Sequence, residues 1–242
     1  MNASPLAEPI LAEEPRDAAA CERLVTEAAA LLIEPGQVVE LRVLGLAYPG
    51  DVPRVSISGY FDNPADLARA ASRLDGYARG IYFTLNPLRP EILSRASNRM
   101  DRNAAAATDS DVIRRRWLPI DLDPIRPPGT NATDDEVRLA VSVAEAVWLA
   151  MREKGWSEPL AALSGNGAHL LYPIDLPAAD DGLVKRTLQG LSDSFSTDRV
   201  RIDLAVSNPS RIWKLPGTIA RKGPASPDRP HRRARLLGRP PA

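Results

Sequence analysis

The chain has 242 residues and no net charge, and its 44% hydrophobic and 26% charged content is typical of a globular protein with a substantial core. Its single cysteine, Cys21, excludes an internal disulfide framework, and with two histidines a Cys/His zinc site is nearly excluded. We therefore expect a reducing, cytoplasmic compartment. The N-terminal residues are acidic and have no long apolar run, so we expect neither a signal peptide nor a membrane anchor.

The charge is distributed unevenly along the chain. Residues 201–242 contain ten Lys and Arg against two Asp, a balance of +8, so the first 200 residues carry −8. Zero net charge argues against a strongly nucleic-acid-binding surface as a whole. The basic segment is compatible with an arm that contacts phosphates and equally with a solvated, disordered tail.

The first half of the sequence predicts two helices and three strands. Asp62-Asn63-Pro64 is typical of an N-cap followed by proline at the first helical position. Residues 1–14 are polar and acidic, which predicts disorder. In chain order we expect a helix at 17–33, strands at 38–44 and 54–60 around a turn at 49–50, a helix at 63–74, a strand at 80–85 and a mobile connection at 101–110.

The second half predicts a strand–helix–strand–strand–helix–strand order. Thr133 and Glu136 form a capping-box pattern at the start of a long apolar-periodic helix. The predicted elements are strands at 112–123, 160–163, 168–172 and 201–203 and helices at 133–155 and 182–195. This is the ferredoxin-like order, shared with the RNA-recognition-motif (RRM) fold. We therefore expect a mixed α+β fold, divided into an N-terminal α/β unit (15–110), an RRM-like unit (111–232) and a basic tail or linker (233–242).

Asp121 and Asp123 end the first strand of this second half. Residues i and i+2 of a strand point to the same face, so the two carboxylates should stand side by side. Adjacent negative charges repel, and a cation that joins them relieves the repulsion. Hard oxygen ligands at this spacing suit Mg²⁺ or Mn²⁺. A solvated strand end is the alternative interpretation of the pair.

Asp203 is the single acidic residue in a later predicted strand. In the split β-α-β arrangement this strand can lie beside the Asp121 strand, which would let three carboxylates converge on one point. Such a cluster suits two divalent ions about 3.5–4 Å apart. A surface aspartate is the alternative.

The turn Ser164-Gly165-Asn166-Gly167 and the following His169 form a candidate anion site. Two glycines let backbone N–H groups approach an anion closely, and Ser164 adds a hydroxyl donor. His169, just past the turn, can donate to a phosphate oxygen or to an acidic neighbour. A histidine between alanine and leucine is also typical of a buried core residue.

Arg211 and Lys214 are candidate phosphate contacts. Three residues apart, they would share one face of a helical turn. Arginine offers a planar fork for phosphate and lysine a point charge. The alternative is two solvated surface cations. Trp213, between them, is expected in the core, and Tyr82 and Asn86 are further residues that can line a cleft.

The order of these motifs resembles the catalytic core of the archaeo-eukaryotic primase superfamily, the primase-polymerases. The stretches that carry the resemblance are Trp-Leu-Pro-Ile-Asp-Leu-Asp-Pro at 117–124, Ser-Gly-Asn-Gly-Ala-His-Leu-Leu-Tyr at 164–172 and Arg-Ile-Asp through Leu-Pro-Gly-Thr at 201–218. The last stretch, with Arg-Pro-His-Arg at 229–232, is similar to phage and plasmid members that are often fused to a helicase. The resemblance covers 112–232 and extends weakly back to 38.

The resemblance implies a role for each matching residue. Asp121, Asp123 and Asp203 would hold Mg²⁺ or Mn²⁺, and Ser164, Gly165, Gly167 and His169 would bind the triphosphate of the incoming nucleotide. Arg211 and Lys214 would assist with phosphates. Many relatives have a basic residue inside the turn, where this chain has Asn166. The zinc-binding stem of some relatives has no counterpart here, as the single cysteine requires.

The sequence therefore predicts a DNA primase-polymerase that joins a nucleotide to a 3′-hydroxyl on single-stranded DNA. Its expected partners are the template strand, nucleoside triphosphates and a replicative helicase, with no membrane. Two other functions remain open on the same residues. A metal-dependent nuclease needs the carboxylates but no triphosphate pocket, and a non-catalytic nucleic-acid-binding module needs only the fold.

Overall fold

In a computed structural model, residues 16–47 and 55–238 are described. The segments expected as a disordered N-terminus and as the turn at 49–50 lie outside the described residues. The helices are α1 (Ala18–Leu32), α2 (Pro64–Leu74), α3 (Asp134–Glu153) and α4 (Leu183–Phe195). The strands are β1 (Val39–Leu46), β2 (Val55–Phe61), β3 (Gly80–Thr84), β4 (Arg99–Asp101), β5 (Arg114–Pro124), β6 (Leu160–Leu163), β7 (Ala168–Pro177), β8 (Val200–Ile202), β9 (Ile212–Lys214), β10 (Ile219–Ala220), β11 (Arg232–Arg233) and β12 (Arg235–Gly238).

Two five-stranded sheets organise the chain into a mixed α+β fold. The first has the order β4-β2-β1-β3-β9 and the second β12-β6-β7-β5-β8, while β10 and β11 form a separate pair. All of the paired strands run antiparallel. Helices α1 and α2 pack against each other beside the first sheet, and α3 and α4 pack on the second. One apolar core runs through both halves, from Cys21 in α1 to Leu215 after β9.

Local sequence signals account for the helices. Thr133 and Glu136 form the expected capping box: the hydroxyl of Thr133 accepts from Glu136 N at 3.2 Å, and the carboxylate of Glu136 accepts from Thr133 N at 2.8 Å. Asn63 caps α2 by accepting from Ala65 N at 2.9 Å. The order β5-α3-β6-β7-α4-β8 is the strand–helix order that the sequence predicted.

The C-terminal residues depart from the expected tail. Arg235–Gly238 form β12, which pairs with β6 at the edge of the second sheet, and Arg233 is buried. The interpretation of 233–238 as tail or linker is therefore wrong, because the segment pairs with a distant strand and its Leu236 and Leu237 pack against the core. Residues 239–242 lie outside the described part of the chain.

Two further expectations need correction. Arg211 and Lys214 do not share a helical turn, because Ile212–Lys214 is a strand that pairs with β3 of the first sheet. The connection at 101–110, expected to be mobile, is hydrogen-bonded to that sheet: Ala107 N donates to the fully buried carboxylate of Glu40 at 2.9 Å, and the hydroxyl of Tyr60 donates to Ala105 O.

Candidate functional site

A cavity of about 220 Å³ lies where the two sheets meet. Its wall combines residues from β1 and β3 with residues from β5, β7 and β9. The predicted site residues that line it are Asp121, Asp123, Ser164, His169, Asp203, Arg211 and Lys214. Gly165 and Gly167 lie in the turn at its edge.

The strand β5 brings Asp121 and Asp123 to the cavity. They lie two residues apart, so their side chains share a face as predicted. Burial, and next the negative charge of Asp121, raise the pKa of Asp123 above its ordinary value. Two cations lie near Asp123: Arg126 at 3.6 Å from Oδ1 and Lys222 at 4.0 Å from Oδ2. Neither residue was singled out by the sequence: Arg126 is a local neighbour three residues after Asp123, and Lys222 approaches through the tertiary fold.

His169 stands directly opposite Asp121 in the β5–β7 register. Its Nε2 lies 3.3 Å from Asp121 Oδ1, and its ring packs against Trp213 with centroids 4.1 Å apart. Burial acts to raise the pKa of Asp121, but the interaction with His169 outweighs it and holds the pKa below its usual value. Trp213 is buried as expected and also lines the cavity.

Asp203 reaches the same cavity from the end of β8. Its main-chain N–H donates to Asp121 O at 2.9 Å, and its Oδ1 accepts from Ala205 N at 2.9 Å. Among the described residues, no group of three or more His, Cys, Asp or Glu is gathered closely enough to hold a metal ion. The three carboxylates thus line one cavity without converging on a single point, because Asp203 also caps the short 3-10 helix that follows it.

The carboxylates nevertheless fit a hard divalent cation. Asp121 Oδ1 is buried, and its 3.3 Å contact with His169 Nε2 lacks hydrogen-bond geometry, so the oxygen has no hydrogen-bond partner within the described residues. Asp123 resists ionisation because it is buried and because Asp121 is beside it. A divalent cation between them would satisfy the first oxygen and remove the repulsion. For Asp203 to join Asp121 and Asp123 as a ligand of the cation, its carboxylate has to give up the hydrogen bond that it accepts from Ala205 N.

The Ser164–Gly167 turn is held by its own hydrogen bonds. Ser164 Oγ donates to Gly167 O at 3.3 Å and accepts from Asn166 N at 3.2 Å. Gly165 has a φ of +90°, and a Cβ there would lie 2.8 Å from Ala220 Cβ and from Arg232 O, so only glycine fits. Asn166 is buried, and its Oδ1 accepts from Ala132 N at 2.7 Å. Asn166 therefore anchors the loop before α3.

Arg211 and Lys214 line the cavity from either end of β9. Arg211 Nε is buried and has no hydrogen-bond partner among the residues described. Lys214 is buried and donates to Thr218 Oγ1 at 2.6 Å and to Ile219 O at 3.0 Å. Burial lowers the pKa of Lys214 to about 7, while the charge of Asp75 acts in the opposite direction. Neither residue is a freely solvated surface cation.

The two other candidates for the cleft have different positions. Tyr82 lines the cavity, and its pKa is raised by burial and then by the charges of Asp121 and Asp123. Asn86 is buried, donates to Pro209 O at 2.8 Å and accepts from Arg116 N at 2.9 Å. Asn86 thus fastens the segment before β9 to β5, outside the residues that line the cavity.

Comparisons with known proteins give matches to solved structures only. No known protein family matches the chain, and no curated protein matches it. Primase RepB' aligns with a TM-score of 0.47 and 10% identity over 89% of this chain, which spans 55% of the RepB' structure. The polymerase domain of ligase D from Mycobacterium tuberculosis, in complex with DNA, aligns with a TM-score of 0.48 and 17% identity over 90% of this chain and 81% of that domain. Within the described residues, no helix is long and apolar enough to cross a membrane.

Proposed function

We propose that the chain is a nucleotidyltransferase of the primase-polymerase class. It joins the α-phosphate of a nucleoside triphosphate to a 3′-hydroxyl on single-stranded DNA, and the bond between the α- and β-phosphates breaks to release pyrophosphate. The observation that carries the proposal is the cavity shared by the Asp121–Asp123 pair, His169 and the unpartnered Nε of Arg211. The cavity combines carboxylates that repel one another with Arg211 Nε, a basic donor that has no hydrogen-bond partner among the described residues. A site for a cation and a phosphate requires both features.

In this proposal the second sheet is the RRM-like palm. Its strands stand in the spatial order β6-β7-β5-β8, with two helices packed on it, as expected for a ferredoxin-like unit. The central strands β5 and β7 carry Asp121, Asp123 and His169. Central strands are fixed on both sides, which suits side chains that have to be held in position.

Each residue of the cavity has a distinct task in the proposed reaction. Asp121 and Asp123, joined by Asp203, would hold Mg²⁺ or Mn²⁺, which would activate the hydroxyl and neutralise charge on the phosphates. Arg211 Nε donates to a phosphate oxygen, and Lys214, whose pKa is about 7, adds positive charge behind it where it is protonated. His169 orients Asp121 and donates to the triphosphate. The turn with Ser164, Gly165 and Gly167 would bind the triphosphate together with His169.

A gel assay with labelled single-stranded DNA separates the possible functions. Products that lengthen only with added nucleotide support nucleotidyl transfer. Products that shorten without nucleotide indicate a nuclease and would overturn the proposal. Unchanged DNA, together with calorimetry that detects no Mn²⁺ binding in the presence of nucleotide, would leave a non-catalytic binding module.

The choice of nucleotide can be read from the same assay. Ribonucleotides and deoxyribonucleotides are supplied separately, with and without an annealed primer. Synthesis on unprimed DNA defines priming, and synthesis only from a primer defines extension. A replicative helicase as partner remains part of the proposal, and addition of a helicase to the assay tests whether synthesis is stimulated.

A further inference from the structure

A second, larger cleft of about 460 Å³ lies beside the carboxylate cavity. Four basic side chains line it: Arg79, Arg221, Lys222 and His231. No aspartate or glutamate is among the lining residues that the structure describes. The cleft is therefore strongly positive in a protein whose net charge is zero.

Three other cations of the basic C-terminal segment, Arg229, Arg232 and Arg233, form ion pairs inside the fold. Arg229 pairs with Glu136 at 2.9 Å and Arg233 pairs with Asp75 at 2.8 Å. Within the described residues, Arg79 and Arg221 form no ion pair with a carboxylate. Arg221 is thus a cation of this segment that has no carboxylate partner among the described residues, and it lines the cleft together with Arg79.

The cleft is built so that the arginines are held in place. Gly45 has a φ of +63°, and a Cβ there would lie 2.7 Å from Arg79 Cγ, so the glycine makes room for the arginine stem. Arg79 Nη2 donates to Lys222 O at 3.0 Å, and Arg221 N donates to Arg79 O at 2.9 Å. Arg221 Nη1 donates to Gly76 O. Both guanidinium groups keep further N–H donors for a ligand.

Lys222 joins this cleft to the carboxylate cavity. It lines both, its side chain is 43% exposed, and its Nζ lies 4.0 Å from Asp123 Oδ2. A strand that lies in this cleft with its end at Asp123 passes Lys222, and its backbone phosphates then lie next to Arg79 and Arg221.

We propose that this basic cleft, lined by Arg79, Arg221, Lys222 and His231, binds the sugar–phosphate backbone of the DNA strand whose end lies at the carboxylates. The identity of the strand rests on the proposed function. The cleft contacts phosphates and does not stack bases. Among the described residues that line it, Tyr77 is the one aromatic ring besides histidine, and the Arg16 guanidinium engages it 4.2 Å from the ring centroid. Binding is consequently insensitive to base sequence and sensitive to salt.

The test measures binding without catalysis. Fluorescence anisotropy of a labelled oligothymidylate is followed across a salt series, with no nucleotide and no divalent metal, for the full chain and for Arg79→Gln, Lys222→Gln and the double variant. Each substitution should weaken binding severalfold at low salt. Each should also lower the slope of log affinity against log salt by about 0.7 for every phosphate that the variant no longer neutralises.

Arg69→Gln is the matched control. Arg69 lines a different cleft, of about 450 Å³, where arginines alternate with Asp66 and Asp101, and it pairs with Asp66 at 3.2 Å. The substitution removes the same unit of charge and should leave affinity and slope unchanged. An equal loss of oligothymidylate affinity in Arg69→Gln would show that only the net charge of the protein matters and would overturn the proposal. Unchanged binding by the double variant of Arg79 and Lys222 would also overturn it.

Two additional measurements show whether the cleft binds the phosphates of a DNA backbone or those of a nucleoside triphosphate. An abasic oligonucleotide should lose affinity in the variants as oligothymidylate does, since only the backbone is contacted. The affinity for nucleoside triphosphate should be unchanged in Arg79→Gln, and a loss confined to the triphosphate would overturn the proposal. If the protein binds the DNA strand as proposed but synthesises no DNA, the proposed function is contradicted and the proposal for the cleft is not. Lys222→Gln alters an exposed head group, so it reports on binding even if Arg79→Gln fails to fold.

Discussion

Asp121 and His169 face each other across the two central strands of the second sheet, with His169 Nε2 3.3 Å from Asp121 Oδ1. The ring packs on Trp213, which belongs to a strand of the first sheet. The pair therefore connects the carboxylates of one sheet to the core of the other. The contact with His169 explains why the pKa of Asp121 lies below its usual value while the pKa of its neighbour Asp123 is raised.

The carboxylate pair predicts a measurable electrostatic coupling. Asp121→Asn removes the negative charge that, after burial, contributes most to the raised pKa of Asp123. The pKa of Asp123 should therefore fall in this variant, as measured by carboxyl-carbon NMR titration. Asp135→Asn, at a site that is 81% exposed and paired with Arg138, is the control and should leave it unchanged. An unaltered pKa in Asp121→Asn would show that burial alone acts on Asp123.

Lys214 predicts a pH-dependent stability. Its pKa is about 7 in the folded chain against an ordinary value of 10.5, so between these values the unfolded chain holds a proton that the folded chain has released. The cost of burying the charge is therefore fully present below pH 7 and fades as the pH rises, by at most about 1.4 kcal/mol per pH unit. The stability of the natural chain relative to Lys214→Met, from denaturant unfolding at pH 6 to 9, should increase with pH. A constant difference would contradict this.

The ion pair of Asp75 and Arg233 should contribute strongly to stability. Both side chains are almost fully buried, Arg233 Nη1 lies 2.8 Å from Asp75 Oδ2, and Asp75 Oδ1 accepts from Ile219 N at 2.7 Å. Arg233→Met leaves a buried carboxylate without its cation, which should cost about 3–5 kcal/mol in the free energy of unfolding.

Two variants test whether that cost arises from the unpaired charge. Adding Asp75→Asn to Arg233→Met should recover part of the loss, because the carboxylate is no longer charged. Arg23→Met breaks an exposed pair with Glu27 and should change stability by less than about 1 kcal/mol. Equal costs for Arg23→Met and Arg233→Met would show that burial of the pair is unimportant.

Local patterns in the sequence predicted much of the fold. The capping residues Thr133 and Asn63 fixed the starts of α3 and α2, and the strand that carries Asp121 was predicted at 112–123, close to its observed range. Contacts between distant segments were not predictable in this way. The residues after 210 form a strand because they pair with Tyr82 and its neighbours, and β12 exists because it pairs with β6.

The residues of the candidate site likewise include some that local patterns predicted and some that they did not. Asp121 and Asp123 were found from their spacing, since residues two apart on a strand share a face. His169 was found from its position just past the Ser164–Gly167 turn. Lys222 was missed because no local pattern brings it to Asp123, and Arg126 was missed although it is only three residues away. The sequence analysis placed Asp203 in a strand and did not predict the turn that follows it. In that turn, a local feature, Asp203 Oδ1 accepts a hydrogen bond from Ala205 N.

The most direct measurement is the rate of nucleotide incorporation on single-stranded DNA by the natural chain, Asp121→Asn and the control Asp135→Asn, with circular dichroism to confirm folding. Nucleotidyl transfer at the carboxylate cavity predicts synthesis by the natural chain and the control. It also predicts a loss of about a thousandfold or more in Asp121→Asn, the scale of removing a group that stabilises transition-state charge. Full incorporation by a folded Asp121→Asn variant would contradict the account.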